Sequence, residues 1–147
     1  MEPQEPPAPP EMSGDVDHPL VRRIMEYQMA VARGDLEAAR SVFQPDVRYR
    51  VPGRSLLAGD YEGPDAVIGY FARLMELTGG TYRISRMTWF AAGDEVALAT
   101  RNHATRNGQT LDWDEVILFT FEDGRKKRID LLSGDQYGMD ALFSSSS

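Results

Sequence analysis

The sequence predicts an α+β fold, with helices gathered on one face of a curved antiparallel sheet. Two observations carry this. The first half of the chain holds three amphipathic helical stripes, and the second half holds four long alternating segments joined by tight-turn signals, Asn107-Gly108 and Glu122-Asp123-Gly124. Helices followed by a meander bury their apolar faces by stacking one layer on the other.

Met1 to Gly14 is rich in Pro and Glu and poor in apolar residues, so residues 1–14 read as a disordered tail. Residues 15–143 read as one domain, and the serine run 144–147 as a second disordered end. The first helix is expected from about Asp17, with Pro19 tolerated in its first turn and Leu20, Ile24, Tyr27 and Val31 on one face. Gly34 stops it, because glycine adopts positive φ without penalty. Asp35 then caps a second helix with Leu36, Ala39 and Phe43 on its buried side and Pro45 at its end. Asp46 to Pro52 alternates as a strand, with Val47, Tyr49 and Val51 inward and Arg48 and Arg50 outward. A glycine-punctuated loop over 53–63 leads to a third helix, opened by Pro64 and closed by Gly79-Gly80. Its stripe is Val67, Tyr70, Phe71, Leu74 and Met75. Strands are expected over 81–92, 95–106, 109–121 and 125–133, with a short helix within 134–143.

The chain has 147 residues, a net charge of −7 and 41% hydrophobic residues, which suits one acidic domain with its own core. The negative balance argues against nucleic acid, whose phosphates require clustered Lys and Arg. The one basic cluster, Arg125-Lys126-Lys127-Arg128, reads as a solvated hairpin edge. Without cysteine, the sequence offers no thiol nucleophile, disulfide or thiolate metal site. His18 and His103 lie far apart with no His-x-x-x-His spacing, so a zinc site is not expected, and no other metal or cofactor is called for. There is no apolar run of membrane-spanning length and no basic-then-apolar start, so a cytoplasmic protein without membrane contact is the default expectation.

The two-residue turn at Asn107-Gly108 fixes a register. Arg106 pairs with Gln109, His103 with Asp112, Asn102 with Trp113, Arg101 with Asp114 and Thr100 with Glu115. Alternation then puts Val96, Leu98, Thr100, Asn102 and Ala104 on one face with Leu111, Trp113, Glu115, Ile117, Phe119 and Phe121. This is the bulkier face, so it should meet the helices. Thr100, Asn102 and Glu115 are a few convergent polar groups in an apolar lining, which is the composition of a small-molecule pocket. Desolvation would raise the pKa of a carboxylate there and suit it to acid–base work. The other face pairs Arg101 with Asp114 and His103 with Asp112, as ordinary cross-strand stabilisation or, alternatively, as an Arg/His/Asp cluster that activates a water molecule. The small apolar residues Ala97, Ala99, Val116 and Leu118 beside them suit a homodimer contact.

Several short elements occur in a telling order: Ala32-Arg33-Gly34-Asp35-Leu36, Phe43-Gln44-Pro45-Asp46-Val47, Val51-Pro52-Gly53-Arg54-Ser55, Leu57-Ala58-Gly59-Asp60-Tyr61-Glu62-Gly63, Phe121-Glu122-Asp123-Gly124-Arg125 and Gly134-Asp135-Gln136-Tyr137. From about His18 to Phe143 the chain thereby resembles the SnoaL-like branch of the nuclear transport factor 2-like superfamily, which includes ketosteroid isomerases and polyketide cyclases. The resemblance implies a cone-shaped, cystatin-like α+β barrel around a pocket behind three helices, often dimeric. Tyr27 matches the isomerase tyrosine seven residues before the Gly-Asp corner. The positions of the two isomerase acids carry Val51, before Pro52, and Ile117, so the resemblance does not extend to ketosteroid isomerase chemistry. The same mapping turns Thr100, Asn102, Glu115, Phe119, Ile129 and Ser133 toward the cavity.

Two functional readings follow. In the first, the chain is a cofactor-free cyclase, isomerase or hydratase/hydrolase-type enzyme, the last of an epoxide-hydrolase-like kind, on a small hydrophobic substrate. Glu115 is then acid or base, Tyr27 or Tyr49 the hydrogen-bond donor, and Asn102 the orienting group. Val51, Phe71, Trp113 and Ile117 join the lining, with Trp89 and Tyr137 at the mouth. In the second, the same domain binds an apolar ligand, or only dimerises, without catalysis.

Overall fold

The computed structural model describes residues 9–145. In chain order the elements are β1 (Glu11–Gly14), α1 (Pro19–Ala32), α2 (Leu36–Arg40), β2 (Phe43–Val51), β3 (Gly59–Glu62), α3 (Pro64–Leu77), β4 (Arg83–Ala92), β5 (Glu95–Arg106), β6 (Gln109–Glu122), β7 (Arg125–Ser133) and α4 (Gln136–Leu142). All seven strands form one open sheet in the order β1-β4-β5-β6-β7-β2-β3. The β4-β5-β6-β7 meander is antiparallel, while β1 runs parallel to β4 and β2 parallel to β7. The fold is α+β as expected, with a core between helices and sheet built around Ile24, Tyr27, Phe43, Tyr49, Trp89 and Phe143.

Local chemistry sets the element ends. The His18 side chain accepts from the Leu20 backbone N–H and caps α1 just before Pro19, one residue later than Asp17. Asp35 Oδ1 accepts from Ala38 N at 3.1 Å, capping α2 as expected. Asn107 and Gly108 both adopt positive φ, 51° and 78°, and join β5 to β6. The pairings Arg106–Gln109 through Thr100–Glu115 follow as expected.

Three expectations change. First, residues 11–14, expected within the disordered tail, form β1; residues 1–8 of that tail lie outside the described residues. Strand β4 leaves a free edge, and β1 pairs with it from Glu11–Arg86 to Gly14–Trp89. Gly14 makes this possible: its φ is +85°, and a Cβ there would meet Trp89 O at 2.1 Å. Asp15 then closes the junction, its carboxylate accepting from Ala91 N at 2.9 Å. Second, α2 ends at Arg40, and Phe43 already pairs with Lys126 of β7. Pro45 sits inside an irregularity of β2 between Phe43 and Arg48, where a missing N–H is tolerated. Third, residues 59–62 of the expected loop form β3, paired antiparallel to β2. At the chain end, residues 146–147 lie outside the described residues, while the Ser144 carbonyl accepts from Arg106.

Candidate functional site

Alternation along β5 and β6 buries the face expected to meet the helices. Thr100, Asn102, Trp113 and Glu115 are all buried, and so are Phe119 and Phe121. Trp113 Nε1 donates to Glu115 Oε1 at 2.8 Å. Asn102 lies between three polar neighbours. Its Nδ2 donates to Thr100 Oγ1 at 3.0 Å, its Oδ1 accepts from Tyr82 OH at 3.0 Å, and it helps to stabilise the Glu115 carboxylate. Burial nevertheless dominates: it raises the Glu115 carboxyl from 4.5 to about 7, against the lowering hydrogen bonds from Trp113 and Asn102. Tyr49 and Tyr70 pack edge to face near it, with ring centroids 4.9 Å apart, and burial raises both phenols, with the Glu115 charge adding to the effect.

The interior space is divided. Glu115 borders a void of about 10 Å³, enclosed with Tyr49, Tyr70, Phe71, Tyr82 and Trp113. That is about the room one water needs. A separate cavity of about 300 Å³ lies between α1, α3 and the sheet, and Tyr49, Phe71, Tyr82 and Ile117 border both spaces. The larger cavity is otherwise lined by apolar groups such as Ile24, Val67, Leu98, Phe119 and Ile129. It reaches the surface near Gln28, Val31 and the exposed Met75. A depression of about 510 Å³ on the outer sheet face, beside Phe90 and Leu118, is larger but is bordered by the surface charges Asp15, Glu95, Arg128 and Asp130. The inner cavity is the better ligand site, because its walls are apolar and its one cation is buried.

That cation is Lys126, 2% exposed. Its Nζ lies 3.9 Å from the Tyr27 ring centroid, 5.0 Å from that of Phe43 and 5.1 Å from that of Phe119. No hydrogen bond or ion pair satisfies Nζ among the described residues. Burial pushes the ammonium well below its usual pKa, and the Arg23 charge adds to that. Ring faces offer a desolvated cation about 2 kcal/mol. Removing it from water without an acid partner costs several. Burial among rings therefore shifts Lys126 toward the neutral amine relative to an exposed lysine.

The sequence placed Lys126 at a solvated edge, and a β-bulge explains the difference. Thr120 pairs with Arg128 but Phe121 pairs with Lys126, so Lys127 is an extra residue in β7. Strict alternation from Ile129 would turn Lys127 inward. The bulge reverses the parity and turns Lys126 inward instead. Lys127 pairs outside with Asp46 and Glu122.

The other predicted residues divide between the two spaces. Tyr27, Tyr49, Phe71, Ile117, Phe119 and Ile129 line the large cavity. Tyr27 does not join Glu115: it stands beside Lys126, and its buried hydroxyl has no partner among the described residues. Val51 is buried but does not border the cavity, and Thr100 acts only through Asn102. Trp89, expected at the mouth, is fully buried beneath the β1 junction, and Tyr137, also expected there, is 92% exposed. Ser133 instead accepts from Asp135 N at the turn into α4. On the outer face, His103 Nδ1 shares a hydrogen bond with Asp112 Oδ1 at 2.7 Å, and Arg101 forms an ion pair with Asp114 at 3.4 Å.

Known proteins share this architecture. An uncharacterized protein of Mycobacterium tuberculosis, Rv0034, is 36% identical over 119 residues, which span 80% of this chain and 88% of that protein. A Xanthomonas campestris crystal structure, a protein of unknown function with a cystatin-like fold, is 32% identical with a TM-score of 0.73, covering 85% of this chain and 98% of that one. A nuclear transport factor 2-like protein from Burkholderia xenovorans shares the fold at 20% identity and a TM-score of 0.75, covering 86% of this chain and 96% of that one. Residues 21–129 match the SnoaL-like domain model, and the chain belongs to that family.

Proposed function

We propose that the cavity receives one small, mainly apolar molecule and that the chain acts on it by cofactor-free acid–base chemistry, with Glu115 as the proton-exchanging group. The observation behind this reading is a carboxyl held near neutrality at about 7, behind a wall of Tyr49, Phe71, Tyr82 and Ile117 that also lines the ligand space. A group poised near neutral pH both gives and takes protons efficiently. The cavity volume of about 300 Å³ is at the small end for ligand pockets. Non-catalytic binding is the second reading. It is favoured by the same wall, because Glu115 does not border the cavity itself.

The test has two parts. Small apolar alcohols and ketones should shift the NMR signals of Phe71, Ile117 and Phe119, and Ile117→Trp, which fills the cavity, should abolish the shifts. Shifts confined to the outer sheet face would refute the pocket. Solvent-deuterium exchange next to the carbonyl of a bound ketone should then exceed the buffer rate and be lost in Glu115→Gln. Exchange at the buffer rate for every ketone that binds would leave non-catalytic binding.

We also infer a homodimer through the outer sheet face. Phe90, Leu118 and Leu132 are 54%, 40% and 52% exposed there, contiguous with Ala97, Ala99 and Val116 through the strand pairings. A monomer would leave this patch in water.

A further inference from the structure

The acid–base reading leaves Lys126 without a role. Of the 16 basic side chains in the sequence, 14 are arginines and two are lysines, Lys126 and Lys127. The chain carries positive charge almost everywhere on a group that does not give up its proton. At its one buried basic position it has a group that does. A bulge aims that side chain inward, and bulges commonly re-aim side chains beside functional sites. Its Nζ meets aromatic rings and no carboxylate, and its side chain borders the 300 Å³ cavity. An unpaired amine at an apolar cavity is the setting of a nitrogen nucleophile.

We propose that Lys126 captures the carbonyl group of a small apolar aldehyde or ketone in this cavity as a Schiff base. The inference rests on the cavity being the ligand site. The Nζ lone pair attacks the carbonyl carbon, and the carbon–oxygen π pair moves to oxygen. A proton passes from nitrogen to that oxygen, giving a neutral carbinolamine. The hydroxyl then leaves with the second amine proton as water while the carbon–nitrogen double bond forms. One amine and one carbonyl give one imine and one water, without oxidant or reductant. The apolar lining favours a substrate with little polarity beyond its carbonyl.

The test uses the full chain at pH 7 with benzaldehyde and sodium cyanoborohydride, followed by peptide mapping. Lys126 should be benzylated at least about ten-fold faster than Lys127, because an ordinary lysine, with a pKa of about 10.4, is almost wholly protonated at that pH. Benzyl alcohol, which has no carbonyl to form an imine, should occupy the cavity and protect Lys126. Lys126→Met should lose the adduct while still binding benzyl alcohol. Modification of Lys127 and the chain terminus alone, in protein that binds benzyl alcohol, would overturn the proposal and leave the pocket intact. Benzoate binding that depends on Lys126, with no adduct from the aldehyde, would overturn it in favour of an ammonium anchor. If none of the three compounds shifts the cavity signals, the pocket reading falls, and this proposal with it.

Discussion

Replacing Glu115 by Gln should make the protein more stable at pH 8 and change little at pH 4. In the folded chain the carboxyl titrates at about 7, against 4.5 for an unburied one. Between those two values the folded state holds a proton that the unfolded state has lost, so stability falls as pH rises through this window. Below 4.5 both states are protonated, and above about 7 both are ionised. The penalty is then complete. At about 1.4 kcal/mol per pH unit, the window amounts to about 3 kcal/mol. The amide keeps the acceptor for Trp113 Nε1 and removes the titration. Any mismatch of its NH₂ group shifts the variant by about 1 kcal/mol at every pH and leaves the slope unaffected. Urea unfolding of both proteins from pH 4 to 8 should therefore show the stability difference, variant minus parent, growing by about 3 kcal/mol. In melting temperature that is about 6–12 °C for a chain of this size. A difference that stays flat across the range would mean that Glu115 titrates like an exposed acid, and the acid–base reading would fail.

Other expectations concern neighbouring groups. Trp113→Phe removes a hydrogen bond that lowers the Glu115 pKa, so a carbon-13 NMR titration should find the carboxyl above 7; an unchanged midpoint would show that the indole is not its partner. Lys126→Met removes an unpartnered buried amine. It should raise stability by about 1–3 kcal/mol near neutral pH, because it removes a buried polar group that has no hydrogen-bond partner. The folded pKa of Lys126 is depressed, so the parent gains stability as pH climbs toward the ordinary lysine value, and the variant should lack that gain; a destabilised variant would mean that Nζ is charged and satisfied. Leu118→Asp should convert a dimer to a monomer in light scattering, and a parent protein that is already monomeric at micromolar concentration would remove the outer-face interface.

The order of helices and strands was legible in the sequence because its signals are local. Asp35 caps α2 from within its own turn, and Pro64 opens α3. Asn107-Gly108 sets the β5–β6 register because a two-residue turn leaves no freedom in pairing. From that register alternation follows, and with it the burial of Thr100, Asn102 and Glu115 together. Composition could not show that residues 11–14 would find a free edge on β4, since that partner lies more than 70 residues away. Nor could it show that Tyr49, Phe71, Tyr82 and Ile117 would stand between Glu115 and the larger cavity, because side chains from β2, α3, β6 and the segment before β4 meet there. Lys126 is the sharpest case. Its direction depends on one extra residue in β7, imposed by simultaneous pairing with β6 and β2. A periodic reading of a single strand runs through that residue without a break. Local sequence therefore determined the first three helical and the four meander segments and the buried acid, while the assembled sheet decided the edge strands β1 and β3 and which basic side chain enters the cavity.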